Sequence, residues 1–364
     1  MKVAFAHDYL NQYGGAERVL EVLHSLFPKA PVYTLIFDRT RMPRHFQEWN
    51  IRESFLRKFP FEKRHYEKYF LLMPLAVESF SLNEFDLVIS ISSAWSKGLI
   101  TLPSTYHINY MLNPMRFAWD SFHPLINARG GLGKLLLVFG LHYVRLWDEN
   151  TRNRPDKIVA ISNTVAKRIE KFYKISPLVI YPPVNTDFFT LDPKMKKEEF
   201  FLIVSRLRPY KRIDIAIEAF NMTKLPLLII GEGSLKAALR RKAHPNIQFL
   251  GRKSDEEVRN FYRRAKALIF PTFEDFGIVP LEACACGTPV IAFGEGGATE
   301  TIVEGKSGTF FNPQTSEALA EVLLNFHAED YDAETVRKQA MRFSTEEFVK
   351  KFRVLIDDVF KKRK

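Results

Sequence analysis

The sequence predicts an α/β protein with two doubly wound parallel sheets, one in each half of the chain. Short apolar runs alternate with segments of helical periodicity from end to end, the pattern of βα units. Several of these runs stop at glycine or at a polar turn that opens the next helix. At 364 residues and 46% hydrophobic content, the chain is long enough for two substantial cores. Pro182-Pro183 and the polar stretch from Leu191 to Glu199 mark the linker.

The first half opens with a strand over Lys2 to His7, then a loop holding Gly14-Gly15, then Ala16, Val19, Leu20 and Leu23 at helical spacing. Amide groups at that helix start could receive a phosphate or a sugar hydroxyl, or the glycines could simply make a tight turn. Val32 to Phe37 and Leu87 to Ser92 are further buried strands. Between them, residues 52–73 interleave Phe55, Phe59, Phe61, Tyr66, Tyr69 and Phe70 with Arg57, Lys58, Lys63, Arg64 and Lys68. That mixture suits an anionic membrane surface; it equally suits a helical subdomain with aromatic core and solvated lysines. His107 to Met111 is a strand that feeds Leu112-Asn113-Pro114-Met115-Arg116. Lys157 to Ile161 follows, with Ser162 as N-cap of a helix carrying Val165, Ile169 and Phe172. Val179 to Val184 closes this half.

The second half starts with Phe201 to Val204 and a loop bearing Arg206, Arg208, Lys211 and Arg212. The helix after it turns Ile213, Ala216, Ile217 and Phe220 to one side. Cations at a helix start oppose the dipole, an arrangement that makes sense where a polyanion docks. Leu227 to Ile230 leads to Gly231-Glu232-Gly233, a partial dinucleotide fingerprint with Lys236 at the third glycine position. Ile247 to Leu250 ends at Gly251-Arg252, and Ser254 with Glu257 forms a capping box. Ala267 to Phe270 is a buried strand that stops at Pro271. Glu274 then sits in a strand-to-helix loop with Phe276 and Gly277, and Glu282 lies about one turn into the helix that starts near Ile278. Amides freed at that helix start favour an anionic or hydroxyl-rich ligand. Val290 to Phe293 and Gly294-Glu295-Gly296-Gly297 follow. A last helix shows Ser344 and Glu347 as a capping box, then Phe348, Phe352, Leu355 and Val359.

Composition narrows the function classes. Net charge is +11, from 53 basic and 42 acidic residues, and suits an anionic substrate or a membrane surface. No nucleic-acid module is present. Cys284 and Cys286 lack the second pair of ligands a zinc site needs and are expected to fill small gaps. Asp330-Tyr331-Asp332 is a D-x-D, expected to be solvated surface. Met1 to Ala6 already has a strand pattern, which argues against a signal peptide, and no apolar run is long enough to span a membrane. The expected location is cytoplasmic, with possible peripheral attachment at the inner face of the cell membrane.

The stretch EDFGIVPLEACACGTPVIA resembles the E-x7-E signature of retaining nucleotide-sugar glycosyltransferases of family four, which share the two-domain GT-B fold. Gly14-Gly15-Ala16-Glu17-Arg18, Asn113-Pro114-Met115-Arg116, and Ser205-Arg206-Leu207 with Tyr210-Lys211 resemble the same family, in its order. The resemblance implies an acceptor-side domain over 1–185 joined by the C-terminal helix 344–364, and a nucleotide-sugar domain over 186–343, facing a cleft. It implies that Arg206 and Lys211 grip the donor diphosphate without a metal or other cofactor. Glu274 would meet the donor hexose, with backbone amides of Phe276, Gly277 and Ile278 nearby. Glu282 would accept from ribose hydroxyls, Arg252 would lie against the base, and Gly15 would touch the donor. Gly14 and Arg116 would face the acceptor. The element 112–116 is similar to that of a polysaccharide-assembling, O-antigen mannosyltransferase-like branch, except that Leu112 stands where that branch usually has histidine. Leucine can neither donate a hydrogen bond nor stabilise charge.

The resulting expectation is transfer of a hexose, mannose from GDP-mannose as the best guess, to a lipid-linked or saccharide acceptor. Three other readings are compatible with parts of the pattern: a GT-B nucleotide-sugar epimerase, an NAD-dependent dehydrogenase disfavoured by Lys236, and a non-catalytic sugar-nucleotide binder.

Overall fold

The computed structural model describes residues 1–60 and 62–361. The chain forms two compact units, Met1–Tyr181 and the remainder from Pro182. In the first unit, seven strands make one sheet: β1 Val3–His7, β2 Val32–Thr34, β3 Ile51–Glu53, β4 Leu87–Ser92, β5 Tyr106–Met111, β6 Lys157–Ala160 and β7 Leu178–Val179. Their order is β3-β2-β1-β4-β5-β6-β7, and every neighbouring pair is parallel. The second unit has six: β8 Phe201–Val204, β9 Leu227–Ile230, β10 Ile247–Gly251, β11 Ala267–Phe270, β12 Val290–Phe293 and β13 Gly308–Phe311. These run β10-β9-β8-β11-β12-β13, again all parallel. Two doubly wound α/β units of this kind constitute the GT-B fold.

Local chemistry explains most element boundaries. Ser162 accepts from the Val165 amide at 3.1 Å, starting the helix Asn163–Tyr173. The Ser254 hydroxyl accepts from the Glu257 amide at 3.2 Å, and the Glu257 carboxylate accepts from the Ser254 amide at 2.9 Å, a complete capping box. Ile213, Ala216, Ile217 and Phe220 are all buried, as their periodicity requires, and join Phe201, Leu227 and Ile229 in the second core.

Three expectations need correction. The apolar run 32–37 pairs as a strand only to Thr34; Leu35, Ile36 and Phe37 stay buried, and Phe37 makes one isolated bridge to Leu10. The run 179–184 ends its pairing at Val179, and Val184 instead donates its amide to Phe343 O at 2.8 Å. Segment 52–73 is broken into turns and short helices. In it Phe55, Phe59, Tyr66, Tyr69 and Phe70 pack against the first core, so these aromatics are not an outward face. Phe61 and the side chain of Arg64 lie outside the described residues, as do residues 362–364. The helix Thr345–Lys361 groups with the second unit and buries Phe348, Phe352, Leu355 and Val359.

Candidate active site

Strand order reverses between β8 and β11, because the chain winds outward from β8 through β9 and from β11 through β12. Ligands of open α/β sheets bind at the carboxyl ends of strands beside such a reversal. The loop after β8 carries Arg206 and Lys211, and the loop after β11 carries Glu274. The two loops meet: the Lys211 ammonium and the Glu274 carboxylate form a close ion pair, with both side chains largely covered. Arg206 Nη2 donates to Tyr210 Oη at 3.2 Å. Thr272 Oγ1 donates to Tyr210 O at 3.0 Å and so ties the loops together through the backbone. Arg212, in the left-handed region at φ 50°, pairs with Asp214 at 3.4 Å and donates to Gln314 at 3.1 Å. The cationic loop is therefore partly neutralised from within the protein, a pairing that the local sequence did not disclose.

Backbone shape holds Glu274 in place. The amide of Gly297 donates to Glu274 O at 2.8 Å, and a Cβ on Gly297 would stand 2.3 Å from Phe276 Cα. No side chain fits there, so the glycine loop after β12 lies directly on the Glu274 loop. Gly277 takes φ 91° and begins the helix Ile278–Ala285. Phe276 is buried against Phe343, with ring centroids 5.7 Å apart, while Ile278 is half-buried. Glu282 is also buried and accepts from Tyr262 Oη at 3.1 Å. Arg252 is exposed immediately beyond β10. The G-x-G at 231–233 has a packing use: a Cβ on Gly233 would stand 2.2 Å from Leu207 O.

Burial, aided by the neighbouring Arg206 guanidinium and opposed by Asp275, pushes the Lys211 ammonium down to about 8. It is thus charged below pH 8 and increasingly neutral above it. Affinity for a nucleoside diphosphate is expected to fall above pH 8, approaching ~10-fold per unit before levelling off. In Lys211→Arg this limb should vanish, because guanidinium does not deprotonate in that range. Calorimetric titration from pH 7 to pH 10 checks it; the same slope in both proteins would assign the titration to another group.

In the first unit, reversal falls between β1 and β4. Asp8, just past β1, spans this point. Its carboxylate accepts backbone amides of Ser93 and Ala94 at 2.8 Å, Trp95 at 3.1 Å and Ser96 at 2.7 Å, and the Ser93 hydroxyl at 3.1 Å. The sequence reading missed Asp8, since its partners lie more than 80 residues away. Gly14 is the N-cap of Gly15–Leu26, and its own amide donates to the Glu17 carboxylate at 2.8 Å. Gly15 is exposed. Arg116 is exposed and lies 3.7 Å from Asp120, which also approaches Arg168 at 3.6 Å. Leu112 is half-buried. Both ring nitrogens of His7, at the end of β1, and Ser92 Oγ, at the end of β4, are buried without a hydrogen-bond partner. Such atoms call for a partner from outside the chain.

Asp332 of the D-x-D is an N-cap, accepting from the amide and hydroxyl of Thr335 at 2.8 and 2.7 Å. Cys284 and Cys286 are free and buried, as expected.

Residues 13–188 match the family model Glycosyltransferase Family 4, and residues 184–343 match Glycosyl transferases group 1. Over 194 residues the chain is 32% identical to an uncharacterized glycosyltransferase of Methanocaldococcus jannaschii, covering 52% of this chain and 54% of the relative. Over 134 residues it is 34% identical to O-antigen chain mannosyltransferase C of Escherichia coli, covering 35% of this chain and 36% of the relative. The chain thus spans about half or less of the length of these curated relatives. HepE of Anabaena, solved in complex with UDP, aligns with 98% of this chain and 100% of its own at a TM-score of 0.71. Their identity is 15%, so the shared property is the fold.

Proposed function

We propose that this chain is a GT-B glycosyltransferase of family 4 and that it moves a hexose from a nucleotide diphosphate sugar to an acceptor hydroxyl with retention of configuration. The observation that carries this reading is the meeting of Lys211 and Glu274, with Arg206 alongside, where strand order reverses in the second sheet. An incoming diphosphate takes the place of Glu274 on Lys211. That exchange frees the Glu274 carboxylate for the hexose hydroxyls. As the glycosidic bond breaks, charge grows on the departing diphosphate, and Arg206 and Lys211 stabilise it where a divalent ion would otherwise serve. The amides of Phe276, Gly277 and Ile278 face sugar and phosphate, Glu282 accepts from ribose, and Arg252 covers the base. Gly15 touches the donor, while Gly14 and Arg116 lie toward the acceptor.

Retention is assigned to a same-face route, in which the leaving phosphate helps to deprotonate the acceptor. The alternative double displacement needs a carboxylate nucleophile on the opposite face. The sugar is assigned as mannose, the sugar in the name of the O-antigen chain mannosyltransferase relative, with GDP-mannose as its donor. The acceptor is assigned as lipid-linked or saccharide in surface polysaccharide assembly, with the protein working at the inner face of a membrane. No helix among the described residues is long and apolar enough to cross one.

Calorimetry with a panel of nucleotide sugars, followed by turnover with saccharide and lipid-linked acceptors, tests the reading. Tight binding with acceptor-dependent release of nucleoside diphosphate supports it. Conversion of donor without acceptor would make the protein an epimerase, and binding without turnover a sugar-nucleotide receptor.

The two carboxylates should separate in their effects. Glu274→Ala does not weaken diphosphate binding, and tightens it to the extent that the carboxylate competes for Lys211, while kcat falls by about 10²-fold. Glu282→Ala weakens nucleotide binding by about tenfold, because a ribose contact is present with or without the sugar. Reversed phenotypes would reverse the two assignments.

A further inference from the structure

The helix Gly131–Asn150 of the first unit buries one side and leaves the other bare. Gly140, Leu141, Val144, Trp147 and Asp148 face inward. Leu132, Leu135, Leu136, Phe139, Tyr143 and Leu146 are exposed, Leu132 by 71% and Phe139 by 66%. Positions 132, 136, 139, 143 and 146 step by four and three residues, so they form one continuous stripe. The stripe extends beyond the helix. A Cβ on Gly140 would stand 2.8 Å from the Phe70 ring and 3.3 Å from Leu71, so segment 70–75 packs close to the helix, and its Leu71 and Leu75 are exposed too. An apolar surface of this extent marks a place where something binds.

Charge identifies the occupant. From Ser121 to Trp147 there is no Asp or Glu, while Arg129, Lys134 and Arg145 are present. Exposed Lys63 and Lys68, with exposed Glu67 between them, precede Leu71 in the chain. A second copy laid on the stripe would bring cations to cations along its edges, with no acid in 121–147 to pair them. An anionic bilayer accepts both components, apolar side chains below the headgroups and basic groups at their level.

We propose that this helix face, continued by Leu71 and Leu75, is the surface by which the protein docks on anionic lipid. This rests on the membrane reading above and moves its carrier from Phe55, Phe59, Tyr66, Tyr69 and Phe70, which pack against the first core, to the outward side of a helix whose inner side packs on that same core.

Full-length protein is co-sedimented with phosphatidylcholine vesicles that contain or lack phosphatidylglycerol, at low and high salt. The wild type is expected to pellet with the anionic vesicles at low salt. Leu136→Asp with Phe139→Asp is expected to bind at least about tenfold more weakly while nucleoside diphosphate affinity stays unchanged. Because Cys284 and Cys286 are buried, Leu136→Cys can be labelled selectively with a polarity-sensitive fluorophore. Its emission is expected to shift to the blue on anionic vesicles. Equal vesicle binding by wild type and the double variant would overturn the helix assignment and leave the membrane reading standing. No binding by the wild type would overturn both. Light scattering that shows a dimer dissociated by the double variant, without vesicle binding, would assign the stripe to a second copy instead.

Discussion

Lys211→Ala is expected to weaken nucleoside diphosphate binding by about 10- to 100-fold, since one charge-assisted contact of roughly 1.5–3 kcal/mol is lost. The fall in kcat/KM should be larger, about 10²–10³-fold, because charge on the departing diphosphate peaks in the transition state. Arg206→Ala should act in the same direction. Its guanidinium is exposed and reaches Tyr210 within its own loop, so the effect on binding should be the smaller one. Fold damage is an insufficient account of either result if unfolding midpoints stay near wild type. Glu274 keeps some access to water when Lys211 is removed, so little stability should be lost. Unchanged diphosphate affinity in both variants would remove this loop from the donor site.

Asp148→Ala is expected to cost the first unit about 3–5 kcal/mol. Asp148 is fully buried and holds three groups at once: Lys97 Nζ at 2.9 Å, Trp119 Nε1 at 2.7 Å and Tyr173 Oη at 2.9 Å. Burial pulls the Lys97 ammonium below its ordinary range, and Asp148 opposes that shift. Without the carboxylate, Lys97 Nζ keeps the main-chain oxygen of residue 148 and Thr151 Oγ1 as hydrogen-bond partners, at 2.9 and 2.7 Å, and the rings of Trp147 and Tyr173 at 5.2 and 5.3 Å. A buried cation without a counter-charge is the dominant penalty. Adding Lys97→Met should therefore restore a substantial part of the loss, giving a coupling well outside additivity. Urea unfolding of the four proteins in this cycle measures it. Additive losses would show that the pair is no stronger than its separate hydrogen bonds.

What the sequence by itself determined is local in origin. Alternating apolar runs and helical periodicities specified eleven of the strand positions, because side-chain burial and backbone hydrogen bonding repeat over a few residues. Ser162, and Ser254 with Glu257, announced their caps because the partners lie three residues apart. The loops carrying Arg206, Lys211 and Glu274 were legible as loops for the same reason. Strands β3 and β13 were not: Ile51–Glu53 is short and half-exposed, and Gly308–Phe311 begins with a glycine.

Only the tertiary structure decided which distant groups meet. The Lys211–Glu274 pair joins residues 63 apart, and Asp8 gathers amides from the end of another strand. Neither has a local signature, because the sheet order that juxtaposes their loops is a property of the whole unit. Burial of Glu282 against Tyr262 likewise depends on how two helices pack. Surface polarity was the other gap. Phe55, Phe59, Tyr66, Tyr69 and Phe70, like Leu132, Leu135, Leu136 and Leu146, read as apolar, yet the first set packs against a core and the second faces outward. Periodicity tells which residues share a face; only packing tells whether that face is covered.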